Sequence, residues 1–219
     1  MARSQEQNRD ARERSQKAIL EAAFSAFGEK GYHETSLAEV ARRAGVAQGL
    51  VSYYFGGKEQ LVGAVLDAYF AKMTAVDLDD DSADDRLRML IDMALIAADQ
   101  GMPQQRIVLG LSMLPTTHRM YADAEQRNLD GVLAAGAVMQ DLFRERGAAD
   151  PGLEEVMLRS VIEGVIVKRA VYGRTYPLHA ARAWLHRMYG LGAPSVPLPF
   201  VASDLPEIAL RASDAYPDS

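Results

Sequence analysis

Residues 35–59, TSLAEVARRAGVAQGLVSYYFGGKE, constrain this chain most tightly. Ser36 is a good N-cap, and Glu39 three residues later completes a Ser-x-x-Glu capping box. Leu37, Val40 and Ala41 recur at helical spacing and form one apolar face. Arg42 and Arg43 fall in the last turn, where the helix dipole favours cations. Gly45 supplies the left-handed stop, and Val46 is the apolar plug of the turn. A second helix then runs over about Gln48 to Tyr54, with Val51 and Phe55 facing inward. Gly56-Gly57-Lys58 leads straight into a third helix.

Such a unit can lay its second helix in the major groove of DNA and brace it with the first. The residues left on the outer face suit that task. Gln48 can pair with a base edge, Ser52 can donate or accept, and Leu50 can touch a thymine methyl. Gly49 lets the helix start come close to another backbone or to a phosphate. Tyr53 and Tyr54 can place hydroxyls on phosphates. Lys58 opens a helix, where its charge and the free backbone N–H groups both favour a phosphate. Thr35 and Ser36 stand at the start of the first helix of the pair, with Thr35 placed for a further phosphate contact.

Residues 12–60 resemble the DNA-binding domain of the TetR family of one-component regulators. The likeness rests on Ala26-Phe27 with Gly31-Tyr32, then Thr35-Ser36, Val40-Ala41, Ala44-Gly45-Val46, Gly49, Tyr53-x-Phe55 and Lys58-Glu59-x-Leu61. Ser52 to Lys58 also resembles the betaine-operon (BetI-like) branch. The resemblance implies that Thr35, Tyr53 and Lys58 hold phosphates and that Gln48 to Tyr54 lie in the major groove. It further implies a homodimer on palindromic double-stranded operator DNA, most often a repressor released by a small-molecule effector. Two positions depart from the pattern. Ala47 stands where a Ser or Thr usually caps the recognition helix, which costs about 1 kcal/mol of capping. Ser52 replaces an aromatic.

The whole chain carries a net charge of −6, which by itself disfavours DNA. Its distribution decides otherwise: residues 1–60 are net +1 and residues 61–219 net −7. Binding depends on local charge, and Arg3, Arg9, Arg12, Arg14 and Lys17 make the N-terminal arm positive. That arm can follow a phosphate strand, enter a minor groove, or simply be a solvated helix start. The chain has no Cys, hence neither disulfides nor thiolate metal ligands. No apolar run approaches membrane-span length, and the polar start lacks a signal-peptide core. The expectation is a cytoplasmic protein that does not engage membranes.

Beyond the motif the pattern is helical throughout, giving an all-α fold of about nine helices. The expected helices are about Arg9–Lys30, ended by Gly31; Lys58–Val76; Ser82-capped to Gln100; Gln104–Leu114; one long helix from Thr116 or Thr117 to near Arg146; Pro151–Arg174; and Pro177–Tyr189. The division is an arm and helix-turn-helix domain over 1–57, a helical ligand-binding and dimerisation domain over 58–191, and a Pro/Gly-rich tail over 192–219. A short turn of helix is expected within 204–213, with the last six residues disordered. The helix from Lys58 belongs to both halves and is the natural lever between them.

The helix from Pro151 is apolar over more than one stripe. Its surplus implies two partners: its own core and a second subunit. Val156, Met157, Ser160, Val161, Gly164 and Val165, with Trp184 and Met188 of the last helix, form the expected dimer surface. Burial inside one subunit is the alternative. For an effector, the candidates are the adaptable Met89, Met93 and Met113 with His118, Tyr121, Glu163 and Arg169. Glu163 either faces a cationic ligand or, as the better expectation, pairs with Arg159 four residues back. No nucleophile elbow or phosphate loop is present. His179 and His186 lack a carboxylate at ligand spacing, so the expectation is no enzyme, no cofactor and no metal. The remaining alternative is a helical ligand-binding or interaction protein whose helix-turn-helix is structural and does not read DNA.

Overall fold

The computed structural model describes residues 2–75, 82–194 and 198–200, with only the backbone of 2–6, 8 and 102. The helix expected within 204–213 and the last six residues lie outside this range. The described residues are all-helical, with α1 Ala2–Glu34, α2 Leu37–Ala44, α3 Gln48–Phe55, α4 Lys58–Thr74 and α5 Ala83–Gln100. There follow α6 Met102–Met113, α7 His118–Arg127, α8 Leu129–Glu145, α9 Pro151–Tyr172, a 3₁₀ turn Gly173–Thr175, and α10 Leu178–Met188. None is long and apolar enough to cross a membrane.

Two compact units emerge. The first is Met1–Ala75 with Arg106–Val132, the second Val76–Gln105 with Leu133–Ser219. In the first, the stripe Ile19, Ala23, Ala26 and Phe27 of α1 meets Val40, Val51, Leu61, Val65, Leu66 and Phe70. In the second, Leu87, Ile91 and Leu95 of α5 pack with Leu142, Phe143, Leu158 and Leu185. A fully buried Leu, Ile or Phe of this kind stabilises by about 1.5–3 kcal/mol.

Several expectations need correction. Helix α1 starts seven residues earlier than its apolar stripe required, because the preceding residues are good helix formers even without burial. Gly31 does not end it outright: its backbone leaves the helix (φ 78, ψ 172), and a helical turn to Glu34 follows. The single helix expected up to Arg146 is broken at Asn128, giving ten α-helices among the described residues. There the Asn128 side chain donates to Asp67 Oδ1 of α4 (2.8 Å) and to the Ala124 carbonyl (2.8 Å). A side-chain amide competing for backbone acceptors is a common cause of such a break. Met73 of α4 falls in helical register with Leu61, Val65 and Leu66, yet it is exposed.

Candidate nucleic-acid interface

Helix α2 is built as its sequence dictates, with one exception. Ser36 Oγ accepts from Glu39 N at 3.2 Å, and Gly45 takes the left-handed conformation at φ 68. The Glu39 carboxylate, expected to close the capping box, instead holds Lys30 (3.1 Å) and Arg43 (2.9 Å). Arg43 also reaches Glu29 at 2.8 Å and the Ser25 hydroxyl at 3.0 Å. Arg43 is therefore a tie between α1 and α2, and Glu29 and Glu39 raise its pKa further.

The same tie sets a pH dependence. Arg43 and then Ser25 hold the Glu29 carboxyl at about 2, against an ordinary 4.5. A depressed folded-state pKa stabilises the fold above the unfolded pKa and ceases to do so as pH falls through the folded one. The stability gap between wild type and Glu29→Gln, read by urea melts, should therefore be present at pH 6 and close by pH 2. A gap that persists at pH 2 would mean the tie is not ionic.

Helix α3 presents the reading face. Val51 is fully buried and Phe55 packs on the same core, which fixes the helix's rotation. Gln48, Gly49, Leu50, Ser52 and Tyr53 are consequently exposed, Tyr53 at 74%. Ala47 makes no side-chain cap, as its side chain requires. Nothing within 4 Å would obstruct a Cβ at Gly49, so no packing within the chain demands a glycine there. Tyr54 differs from expectation: it is half-buried against the core, with the Arg12 guanidinium 5.7 Å above its ring. That contact ties the basic arm to α3 through a cation–π interaction.

Two expected phosphate ligands are engaged within the chain. Thr35 is 1% exposed, and its hydroxyl donates to the Ala26 and Gly31 carbonyls at 3.1 and 2.8 Å. Its side chain locks the α1–α2 joint and is not offered outward, because the carbonyls freed at Gly31 need a donor. Lys58 Nζ donates to the His33 carbonyl at 3.1 Å and lies 4.5 Å from the centroid of the Tyr32 ring. Burial lowers its pKa. Its ammonium nevertheless stands at the N-terminus of α4, where a phosphate would compete for it.

The effector candidates are not brought together. None lines either of the two best-formed cavities, one beside α6 in the first unit and one between α9 and α10 in the second. His118 Nδ1 bonds the Ser112 carbonyl at 2.8 Å, and the Tyr121 ring packs 5.7 Å from that of Phe70. Met93, Met113 and Glu163 are exposed and Met89 is half-buried. Arg169 is 4% exposed and consumed by Asp99 and the Gly173 carbonyl, so it is a structural cation. Arg159 pairs with Glu155 at 3.3 Å, not with Glu163, since one turn back offers the more buried carboxylate. The expectation missed the acidic face of α5: Asp92 accepts from Arg182 (2.6 and 2.5 Å) and faces His186 at 3.4 Å. The seven-residue spacing of Asp92 and Asp99 on an otherwise apolar helix is the signal that could have revealed it.

The surface of α9 and α10 sorts the dimer candidates. Val156, Met157, Ser160, Gly164, Trp184 and Met188 are exposed. Val165, at 6%, belongs to the unit's own core, and Val161 lies partly against it. A Cβ at Gly164 would meet nothing within 4 Å.

A capped brace, a rotation-locked second helix and an exposed polar-aromatic face make residues 36–55 a helix-turn-helix. Residues 19–65 match the family described as bacterial regulatory proteins, tetR family. A transcriptional repressor of Mycobacterium tuberculosis (Rv3405c) is 49% identical over 63 residues, 29% of this chain and 34% of that relative. The regulator BetI of Escherichia coli O17:K52:H18 is 34% identical over 82 residues, covering 34% of this chain and 41% of BetI. The chain thus matches well under half the length of these relatives. NalD, the secondary repressor of the MexAB-OprM multidrug efflux pump in Pseudomonas aeruginosa, shares the fold more widely. It has a TM-score of 0.57 and 25% identity over 84% of this chain and 98% of NalD. Over residues 19–65 the chain carries the helix-turn-helix domain of the TetR family.

Proposed function

We propose that the protein is a homodimeric, sequence-specific transcriptional repressor that a small molecule releases from palindromic operator DNA. The observation that carries this is the outward face of α3, Gln48 to Tyr53, held at one rotation by Val51 and Phe55 beneath it. Gln48 and Leu50 read bases, while Tyr53 and Lys58 hold phosphates, Lys58 by leaving the His33 carbonyl. Arg12, tied to Tyr54, extends the positive surface. The apolar face of α9 and α10 makes the dimer, with Gly164 allowing close helix approach. Two-fold symmetry then places two reading helices on successive major grooves.

An effector is supported by apolar surface left uncovered in the second unit, including Met93 of α5 and Leu133 and Val138 of α8. Such a ligand acts only through unequal affinity for the DNA-bound and released states. Proteins of this kind work in the cytoplasm, where their operators are.

Gel shifts with the DNA upstream of the protein's own gene test the reading. The complex should weaken steeply as salt rises. Lys58→Ala should weaken binding to every sequence alike and reduce the salt slope by about one. Gln48→Ala should instead relax preference at one base pair, by about 1–3 kcal/mol. A folded dimer with no sequence-specific complex at low salt would overturn the proposal.

A further inference from the structure

Helices α9 and α10 leave an open groove of about 620 Å³ between them in the second unit. Its accessible walls are Val161, Gly164, Pro177, Ala180, Ala181 and Trp184. Gly164 and Trp184 are exposed, Trp184 at 42%, and the other four are half-buried. Two exposed cations, Lys168 and Arg187, also line the groove, and no carboxylate does. Exposed apolar surface rimmed by polar groups marks an interaction site. The chain itself carries a segment of matching chemistry. Within residues 201–219, Asp204, Glu207, Asp214 and Asp218 are set against Arg211 alone. Asp204 with Glu207 three residues later reads as a helix start, and Leu205, Ile208, Ala209 and Ala212 recur at helical spacing. Reach and length also agree. The Phe200 ring lies 4.9 Å from that of His179 in the first turn of α10. Residues 201–203, fully extended, span about 10 Å, the width of a helix. A helix over 204–212 is about 13 Å long, against about 15 Å along α10 from Pro177 to Arg187.

We propose that residues 204–212 of the same chain seat in this groove as an amphipathic helix, with Leu205 and Ile208 on the apolar walls and the acidic face toward Arg187 and Lys168. A tethered segment meets its groove at an effective concentration of about millimolar, so a contact too weak to form between separate molecules is populated within one. Gly164 and Trp184 also belong to the dimer face proposed above. The seated segment and a second subunit therefore exclude one another. Dimerisation requires two segments to leave, so with about two-thirds of chains seated the dimer is weakened about tenfold. The segment thus sets the concentration at which the protein pairs. The exclusion rests on the dimer proposed above; the seating itself does not.

Trp184 is the only tryptophan of the chain, so its fluorescence reports on the groove directly. The full chain is diluted until sedimentation shows monomer alone, and quenching of Trp184 by acrylamide is measured. Leu205→Asp with Ile208→Asp should raise the quenching constant about two- to threefold, since Trp184 is otherwise open only in the unseated third. Its emission should move to the red. A chain ended at Phe200 should do the same, and it decides the matter if the double variant fails to fold. Arg187→Gln should raise the constant by a smaller factor. Unchanged quenching on loss of the segment overturns the seating. So does protection of Trp184 that appears only as the chain dimerises and ignores both changes, the result expected if a second copy alone covers the groove. Sedimentation over a concentration series then reads the exclusion: Leu205→Asp with Ile208→Asp should dimerise about tenfold more tightly than wild type. Equal affinities overturn the exclusion alone. Absence of a dimer in both chains overturns the dimer proposed above and leaves the seating standing.

Discussion

Met157→Glu should convert the dimer to a folded monomer and lower operator affinity by roughly 10²–10⁴-fold. The loss reflects the effective concentration that joins two half-site contacts into one binding event. Met157 is 50% exposed on α9 beside Val156, and Trp184 and Met188 of α10 are exposed as well. A carboxylate there meets water in the monomer, so helicity and melting should change little. In the proposed dimer it would be buried among apolar groups without a partner, at a cost of several kcal/mol. Sedimentation with circular dichroism separates the two effects, and gel shifts read the affinity. A variant that remains dimeric at low micromolar concentration would place the interface elsewhere.

Asp99→Leu should destabilise the second unit by about 3–5 kcal/mol, because it strips a buried guanidinium of its counter-ion. Side chains of Asp99 and Arg169 are 1% and 5% exposed, and the pair ties α5 to α9. For a chain of this length each kcal/mol moves the melting temperature by about 2–4 °C. The expected drop is therefore on the order of 6–20 °C. Adding Arg169→Met to the same chain should recover most of it, since an apolar pair of similar volume restores packing without charge. If the single variant melts within about 2 °C of wild type, Arg169 is better solvated than its burial indicates. If the double variant melts no higher than the single, packing and not charge carries the loss.

The reading head was the most legible part of the sequence. Its rules are local: Ser36 caps, Gly45 stops, and Val51 and Phe55 alternate with Gln48 and Ser52 within a few turns of helix. Local rules also gave the start of α9, where Asp150 caps Leu153 N at 3.0 Å and Pro151 opens the helix. What they could not supply was the use made of each polar group. Thr35 and Lys58 look outward by spacing alone and Glu39 looks like half of a capping box, yet a nearby carbonyl or cation claims each one. Arg159 chose Glu155 over Glu163 on the same face of the same helix, a choice set by the burial of the carboxylate.

The amino-acid pattern by itself determined that this chain is helical, that residues 35–59 brace and expose a reading helix, and that α9 carries more apolar surface than one core needs. Periodicity, caps and glycine conformation are properties of neighbours in the chain, so they can be read there. Tertiary structure alone decided which side of α9 faces the core, burying Leu158 and Val165 and leaving Val156 and Met157 outside. It also decided the break at Asn128, made by Asp67 some sixty residues away, and the groove between α9 and α10. Each of these depends on which distant segments come into contact. A helix's period describes its own faces and carries no information about what will stand opposite them.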